Sequence, residues 1–422
     1  MSAHPLAFDT SVPALTFKVG AYPVHHGGLG VARTLGRAGI PVYGVHEDRL
    51  APAGLSRYAA GRFVWPTAGQ EEHRRQLLAG IEWVAGRIGR PAVLVPTDDH
   101  AAIFVADHAD TLRRWFLFAA PSAELVREVT DKAALHRRCR DLGVPVPEAT
   151  VITDSAGLLA YAETASFPVV AKRAVPTLLA DGRRARSTRI LRGAADLLRT
   201  DVSSPVLLQE HIPAGPGDDW LFHGYCDASS ECLAGFTGRK LRSFPADAGE
   251  TALGRVERNR TLEDQARSLL AALGYRGAVS LDYRYDRRDG TYRLLDFNPR
   301  VGAVFRLFTT GSGVDVVRAL HLDLTGRPVP RDGAVDGRAL MVEGYDVRSS
   351  WSSLAAGGLT PRQWWSSLRS VRETAWIAAD DPVPAVVALA RSAGAASGLW
   401  PPPPHRPGPP AYLEGRAARR RR

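Results

Sequence analysis

The stretch that most limits what this chain can fold into is YRGAVSLDYRYDRRDGTYRLLDFNPR, residues 275–300. Two runs of aliphatic and aromatic residues flank the turn sequence DRRDG, so the stretch reads as an antiparallel β-hairpin. Strand alternation predicts Leu294, Asp296 and Asn298 on one face and Leu295 and Phe297 on the other. A tight turn would set Asp282 of the first strand diagonal to Asp296 on that same face. Two carboxylates and an amide oxygen then converge. Burying them unpaired is costly, and like charges at short range repel unless something positive lies between them. Hard oxygen donors of this kind suit Mg2+, which also accepts water and the phosphate oxygens of a nucleotide. A solvated hairpin face paired with Arg284 or Arg293 meets the same pattern.

The hairpin sits in a chain of 422 residues, more than one core usually serves. Up to about residue 120 strands alternate with helices. LTFKVGA is a strand, HHGGLG a glycine loop, GVARTLGRAG a helix closed by Gly39, IPVYGVHED a strand ending in acid, and PAVLVPTDDH another buried strand. These define an α/β layer with a parallel sheet. From about 121 to 330 strands dominate, beginning after the capped helix TDKAALHRRCRDLG, and the region reads as α+β with antiparallel sheets. Residues 331–400 look mainly helical. Residues 401–422, PPPPHRPGPPAYLEGRAARRRR, read as a disordered tail that carries six arginines against one glutamate.

That tail holds +5 of the formal +10 charge, so nucleic acid is not expected as a partner despite the basic balance. No apolar run is long enough for a membrane span, and the first residues lack a signal-peptide pattern; the chain is expected to be cytoplasmic, with no membrane partner. Cys139, Cys226 and Cys232 are too few and too irregular for a disulfide framework or a zinc site, and read as buried small apolar residues.

Of 54 basic residues only Lys18, Lys132, Lys172 and Lys240 are lysine, leaving 54 less 4, or 50, arginines. A lysine kept in such a chain points to a place where a compact ammonium is wanted instead of a planar fork. Lys132 opens the capped helix and Lys172 ends the strand FPVVAK, element ends where a polyphosphate could be held. Lys18, inside the first strand, reads as structural.

With these residues in place, the sequence resembles the ATP-grasp superfamily, in particular its carboxylate-amine ligases. The resemblance runs in order through the DK helix followed by GVPVP, the FPVVAK strand, VLLQEHI, SLDY and LLDFNPR, spanning about residues 15–325. It implies a Rossmann-like domain over 1–120, an ATP-grasp fold of two α+β lobes over 121–330, a mainly helical extension over 331–400 and the tail. It implies ATP and Mg2+ as cofactors. Lys132 and Lys172 would hold the nucleotide, Gln209, Glu210, His211 and Ile212 would form the adenine hinge, and Asp282, Asp296 and Asn298 would be the metal ligands. Arg300 would clamp phosphate or substrate. Many relatives carry glutamate where this chain has Asp282 and Asp296, and a glycine-rich loop where it has Arg183, Arg184 and Arg186, which could cover the phosphates as a charged lid or form an exposed hairpin tip.

The implied reaction activates a substrate carboxylate as an acyl phosphate and joins it to an amine, with release of ADP and phosphate. Small-molecule acid and amine substrates follow. Lys240, with Arg239 and Arg242 in GRKLRSFP, is a candidate for orienting the acid; a surface strand is the competing account. His25, His26, Asp98, Asp99 and His100 stand at the carboxyl ends of the first domain's strands, where loops line crevices, although caps and turns also use these residues. Two rival functions remain open at this point. The glycines before Glu47 and Asp48 outline a dinucleotide site and hence an NAD-dependent oxidoreductase; the alternative is a catalytically silent ATP-binding module. Trp351, Trp364, Trp365 and Trp376 would pack the C-terminal helices on the core or form an interface, for instance in a homodimer.

Overall fold

The computed structural model describes residues 6–20, 24–67, 73–174, 188–213, 215, 217–246, 249–396 and 410–415. The first part contains β1 (Ala14–Phe17), α1 (His26–Arg37), β2 (Val42–His46), β3 (Ala59–Val64), α2 (His73–Ile88), β4 (Ala92–Pro96), α3 (Asp99–Asp107), α4 (Ala109–Leu112), β5 (Phe116–Leu117) and α5 (Ala123–Thr130). Its strands pair in parallel in the order β3-β2-β1-β4-β5. Chain order reverses between β1 and β4, and their carboxyl ends open a crevice there. The residues after β1 lead to His25 and His26, and those after β4 are Thr97, Asp98 and Asp99.

Two expectations for this part change. Most of HHGGLG is not a loop, because α1 begins at His26 and takes in all three of its glycines. Gly30 serves packing: a Cβ there would come within 2.9 Å of the Phe305 ring, so glycine lets α1 lie close to that neighbour. The tail is not wholly irregular, since β17 (Ala411–Glu414) adds antiparallel to β3 as the sheet's edge strand. Tyr412 of that strand packs on Phe63 with ring centroids 5.2 Å apart, contact that the surrounding prolines and arginines conceal in the composition.

Helix α6 (Lys132–Asp141) packs Leu135 and Cys139 into the core of the large lobe, and a small lobe follows, made of β6 (Ala149–Ile152), α7 (Ser155–Thr164), β7 (Val169–Arg173), β8 (Thr188–Leu191), α8 (Ala194–Leu198) and β9 (Val206–Glu210). Its four strands form an antiparallel sheet ordered β6-β9-β7-β8 over a compact core that includes Ile152, Val169, Leu191 and Leu208. Asp131 caps α6 by accepting from the backbone N–H groups of Ala133 and Ala134, and Gly143 ends the helix at φ 68°, a conformation that favours glycine.

The large lobe contains β10 (Asp219–Cys226), β11 (Cys232–Phe244), β12 (Glu250–Val256), α9 (Arg260–Ala272), β13 (Gly277–Asp286), β14 (Thr291–Asn298) and α10 (Val316–Leu324). Residues 331–400 add β15 (Ala339–Met341), α11 (Glu343–Ala355), α12 (Pro361–Leu368), β16 (Val371–Thr374) and α13 (Val383–Ala396). Helices predominate among the described residues of this segment, and β15 and β16 extend the large lobe's sheet to β14-β13-β10-β11-β12-β15-β16. One core joins this lobe to the first part: Val31 and Leu35 of α1 pack with Tyr225, Phe236, Phe305, Phe308 and Leu320. Buried Arg33 of α1 ties in the C-terminal segment by bonding the Asp381 carboxylate at 3.0 Å and the Trp376 carbonyl at 2.7 Å. Trp364 and Trp376 make such inward contacts, whereas Trp351 and Trp365 stay exposed. Cys139 and Cys226 are buried, Cys232 is partly so, and all three are free thiols. Among the described residues no helix is long and apolar enough to cross a membrane.

Candidate active site

The predicted hairpin is β13 and β14, and its faces depart from simple alternation at one residue. Asp282 lies directly opposite Asp296, while its neighbour Tyr283 pairs with Leu294, so Leu295 is an extra residue in β14. This bulge turns Leu294 to the core beside Phe297 instead of to the polar face. Asp296 and Asn298 keep the face expected for them, and Asp282 is opposite Asp296, not diagonal to it. The bulge also frees the Leu295 carbonyl, which accepts a 2.7 Å bond from Lys172 Nζ across the gap between the lobes.

A cavity of about 750 Å3 lies over this face, lined by Asp282, Asp296, Asn298, Arg300 and Lys240. Its far wall includes Thr188, Arg189 and Arg192 of β8 and the residue after it, and His25, His26 and Asp98 of the first part also reach it. Each carboxylate on the floor has an ammonium beside it. Lys132 bonds Asp296, and Lys240 Nζ lies 3.0 Å from Asp282 Oδ1. Arg300 donates from Nε to Asp99 at 2.9 Å and from Nη2 to Asn298 Oδ1 at 3.0 Å. Asp98 sets that corner by capping α3 through Ala101 N–H at 2.7 Å and accepting from Val19 N–H at 2.9 Å.

The electrostatics follow from packing this charge in a partly dry space. Burial pulls the Lys172 ammonium down to about 8, against the attraction of Asp296. Burial alone would raise Asp296, but the charges of Lys132 and Lys172 outweigh it and hold the carboxyl below its ordinary value. For Lys240 burial works downward and the Asp282 carboxylate more than reverses it, so the group stays protonated.

The hinge residues fall less together. Gln209 lines a small cleft with Lys132, Lys172, Leu207 and Leu294. Glu210 is turned to other work: one oxygen accepts from the Glu148 N–H at 3.2 Å and the other from Arg288 at 3.1 Å. The Ile212 carbonyl accepts from Arg284 at 3.1 Å, and neither Ile212 nor His211 lines that cleft. Arg183, Arg184 and Arg186 lie outside the described residues. Lys18 forms a buried pair with Glu47, in keeping with a structural place. The glycines that suggested a dinucleotide site lie within α1, and Gly30 among them packs against Phe305.

Several cavity residues escaped the sequence reading, among them His223, Ser280, Glu250 and Tyr345. His223 stands opposite Ser280 in register, two places from the Leu221–Asp282 pair, so it shares the polar face. Its Nε2 is 3.1 Å from Ser280 Oγ, and burial takes the imidazole down to about 4. The signal was a single histidine in the otherwise apolar WLFHGYC.

Two carboxylates and an amide oxygen on one face fit a hard divalent cation. The described residues hold no group of three or more His, Cys, Asp and Glu side chains able to bind a metal. An ion here would therefore need phosphate and water oxygens as well.

Comparisons agree with this architecture. No family model matches the sequence. The D-aspartate ligase of Enterococcus faecium is 22% identical over 245 residues, 55% of this chain and 58% of that protein, so the chain spans little more than half of the relative's length. Among solved structures, N5-carboxyaminoimidazole ribonucleotide synthetase from Thermotoga maritima superposes with a TM-score of 0.54 at 14% identity, over 76% of this chain and 78% of that one. Biotin carboxylase from Campylobacter jejuni, in complex with an ATP analogue, gives 0.57 at 14% identity, over 76% and 73%. The chain has the ATP-grasp fold of these enzymes, and the resemblance read in its sequence holds.

Proposed function

We propose that the chain is an ATP-dependent ligase that activates a carboxylate as an acyl phosphate and joins it to an amine, releasing ADP and phosphate. The observation that carries this reading is the meeting of Lys240 and Arg300 with Asp282, Asp296 and Asn298 on the floor of one cavity, with Lys132 bonded to Asp296 and Lys172 to the Leu295 carbonyl from the cleft beside it. The relative named a D-aspartate ligase supports an amino acid among the substrates. The first part we read as the Rossmann-like domain that precedes such a fold, from its parallel β3-β2-β1-β4-β5 order.

In this reading Lys132 and Lys172 grip the triphosphate from the small-lobe side, and Gln209 marks the adenine end. Asp282, Asp296 and Asn298 would hold Mg2+, which when bound neutralises charge on the phosphates. Arg300, held by Asp99, and Lys240, held by Asp282, present positive charge to the substrate carboxylate and to the phosphoryl group it accepts. A carboxylate oxygen takes the γ-phosphoryl group and ADP leaves; the amine nitrogen then bonds to the carbonyl carbon, phosphate leaves, and the nitrogen loses a proton.

A panel of carboxylic acids crossed with amines, scored by ADP release and by mass detection of the amide, tests the proposal. ADP that requires both an acid and an amine supports it. Tight ATP binding without turnover across the panel would leave a silent nucleotide-binding module.

A further inference from the structure

The cavity has a second end whose chemistry differs from its floor. Asp282 and Asp296 each have a lysine, and Asp98 is engaged by backbone N–H groups. Glu250, at the start of β12, also lines the cavity and is exposed to it, yet among the described residues no lysine or arginine pairs with it. Burial and the neighbouring Glu250 carboxylate push the Tyr345 hydroxyl well above its ordinary value. The Tyr345 ring stacks on Phe244 with centroids 5.9 Å apart at 26°, and His26 meets Tyr345 edge-on at 6.5 Å. Buried His26 leaves its Nε2 without a hydrogen-bond partner, in a wall of the same cavity. Burial brings that imidazole down to about 4, so it is neutral and adds no positive charge. Cations also stand near this end: Arg348, 5.8 Å from the Phe244 centroid, Arg306, which acts on His26, and Lys240, whose Nζ lies 3.5 Å from the Gly249 carbonyl.

We propose that Glu250, Tyr345, Phe244 and His26 form the subsite that receives the ammonium group of the amine substrate. The proposal rests on the ligase reading and deepens it. A carboxylate with no cationic partner, two aromatic faces and a neutral imidazole able to accept an N–H bond suit a protonated primary amine and exclude an anion. On the floor each carboxylate already has its lysine, so the amine finds its carboxylate without a cationic partner at the Glu250 end.

Saturation-transfer NMR on the full chain, with methylammonium chloride as probe and methanol as its neutral counterpart, tests this without turnover. The wild-type protein is expected to give a methyl signal for methylammonium and little for methanol. Glu250→Gln should lower the methylammonium signal at least fivefold and Tyr345→Phe by less, while Glu231→Gln, an exposed carboxylate paired with Arg331 elsewhere, should leave it unchanged. Equal signals for the two probes, or equal methylammonium signals from wild type and Glu250→Gln with a folded far-ultraviolet spectrum, would overturn the subsite. A panel that yields no acid-dependent ADP would instead overturn the ligase reading, and the NMR result stands apart from it.

Discussion

The small and large lobes carry opposite halves of one site on very different foundations. The large lobe's sheet shares a core with the first part and with the C-terminal segment, so Asp282, Asp296, Asn298 and Lys240 stand on a rigid floor. The small lobe's sheet keeps its own compact core; α6 packs Leu135 and Cys139 into the large lobe, and the sheet meets that lobe through polar contacts such as Lys172 to the Leu295 carbonyl, Glu210 to Arg288, and Arg284 to the Ile212 carbonyl. The difference teaches where motion belongs. Asp282, Asp296 and Asn298 are fixed, and Lys172 arrives on the part with the smaller core of its own.

The largest effect should come from the fixed half. Asp296→Ala removes a donor oxygen and leaves Lys132 unpaired, and should lower ATP-dependent turnover about 1,000-fold in a coupled ADP assay. Lys172→Ala, on the small lobe, should cost on the order of 100-fold in the same assay. Near-normal turnover in that variant would break the division of labour between lobes.

A pH profile sharpens the comparison. Burial lowers Lys172 to about 8, so the free protein carries this ammonium below that pH and loses it above. The kcat/KM for ATP should therefore fall as pH rises through about 8, roughly tenfold per unit once the group is neutral. Lys172→Arg should move the fall to higher pH, because arginine does not deprotonate in that range. The smallest effect is expected from Arg288→Ala. Its pair with Glu210 has Arg288 half exposed, so stability by urea denaturation should change by less than about 1 kcal/mol. Faster proteolysis within the small lobe alone would then show that the pair steadies the lobe's position.

Much of this site was legible because strand alternation is a strong rule. Asp296 and Asn298 share a face two residues apart, and Asp282 could be placed on the partner strand from the turn alone. The scarcity of lysine singled out Lys132, Lys172 and Lys240, and all three reach the floor or the gap beside it. What was illegible came from contacts distant in sequence. The bulge at Leu295 turns Leu294 inward, and nothing in LLDFN announces it. The Asp99 partner of Arg300 comes from another part of the chain. The glycines at the start of α1 read as a loop because glycine weakens helices, whereas close packing on Phe305 needs one of them, Gly30. Glu250 begins a strand, ETALGRV, whose alanine and glycine carry little β signal, so neither the strand nor its acid was evident.

The central claim is that Asp282, Asp296 and Asn298 bind Mg2+ beneath a triphosphate. Titration calorimetry of ATP into the wild-type chain and into Asp282→Asn/Asp296→Asn, with and without Mg2+, tests it most directly. The account predicts that Mg2+ tightens ATP binding at least tenfold in the wild type and does nothing in the variant. An equal response to Mg2+ in both proteins would contradict it.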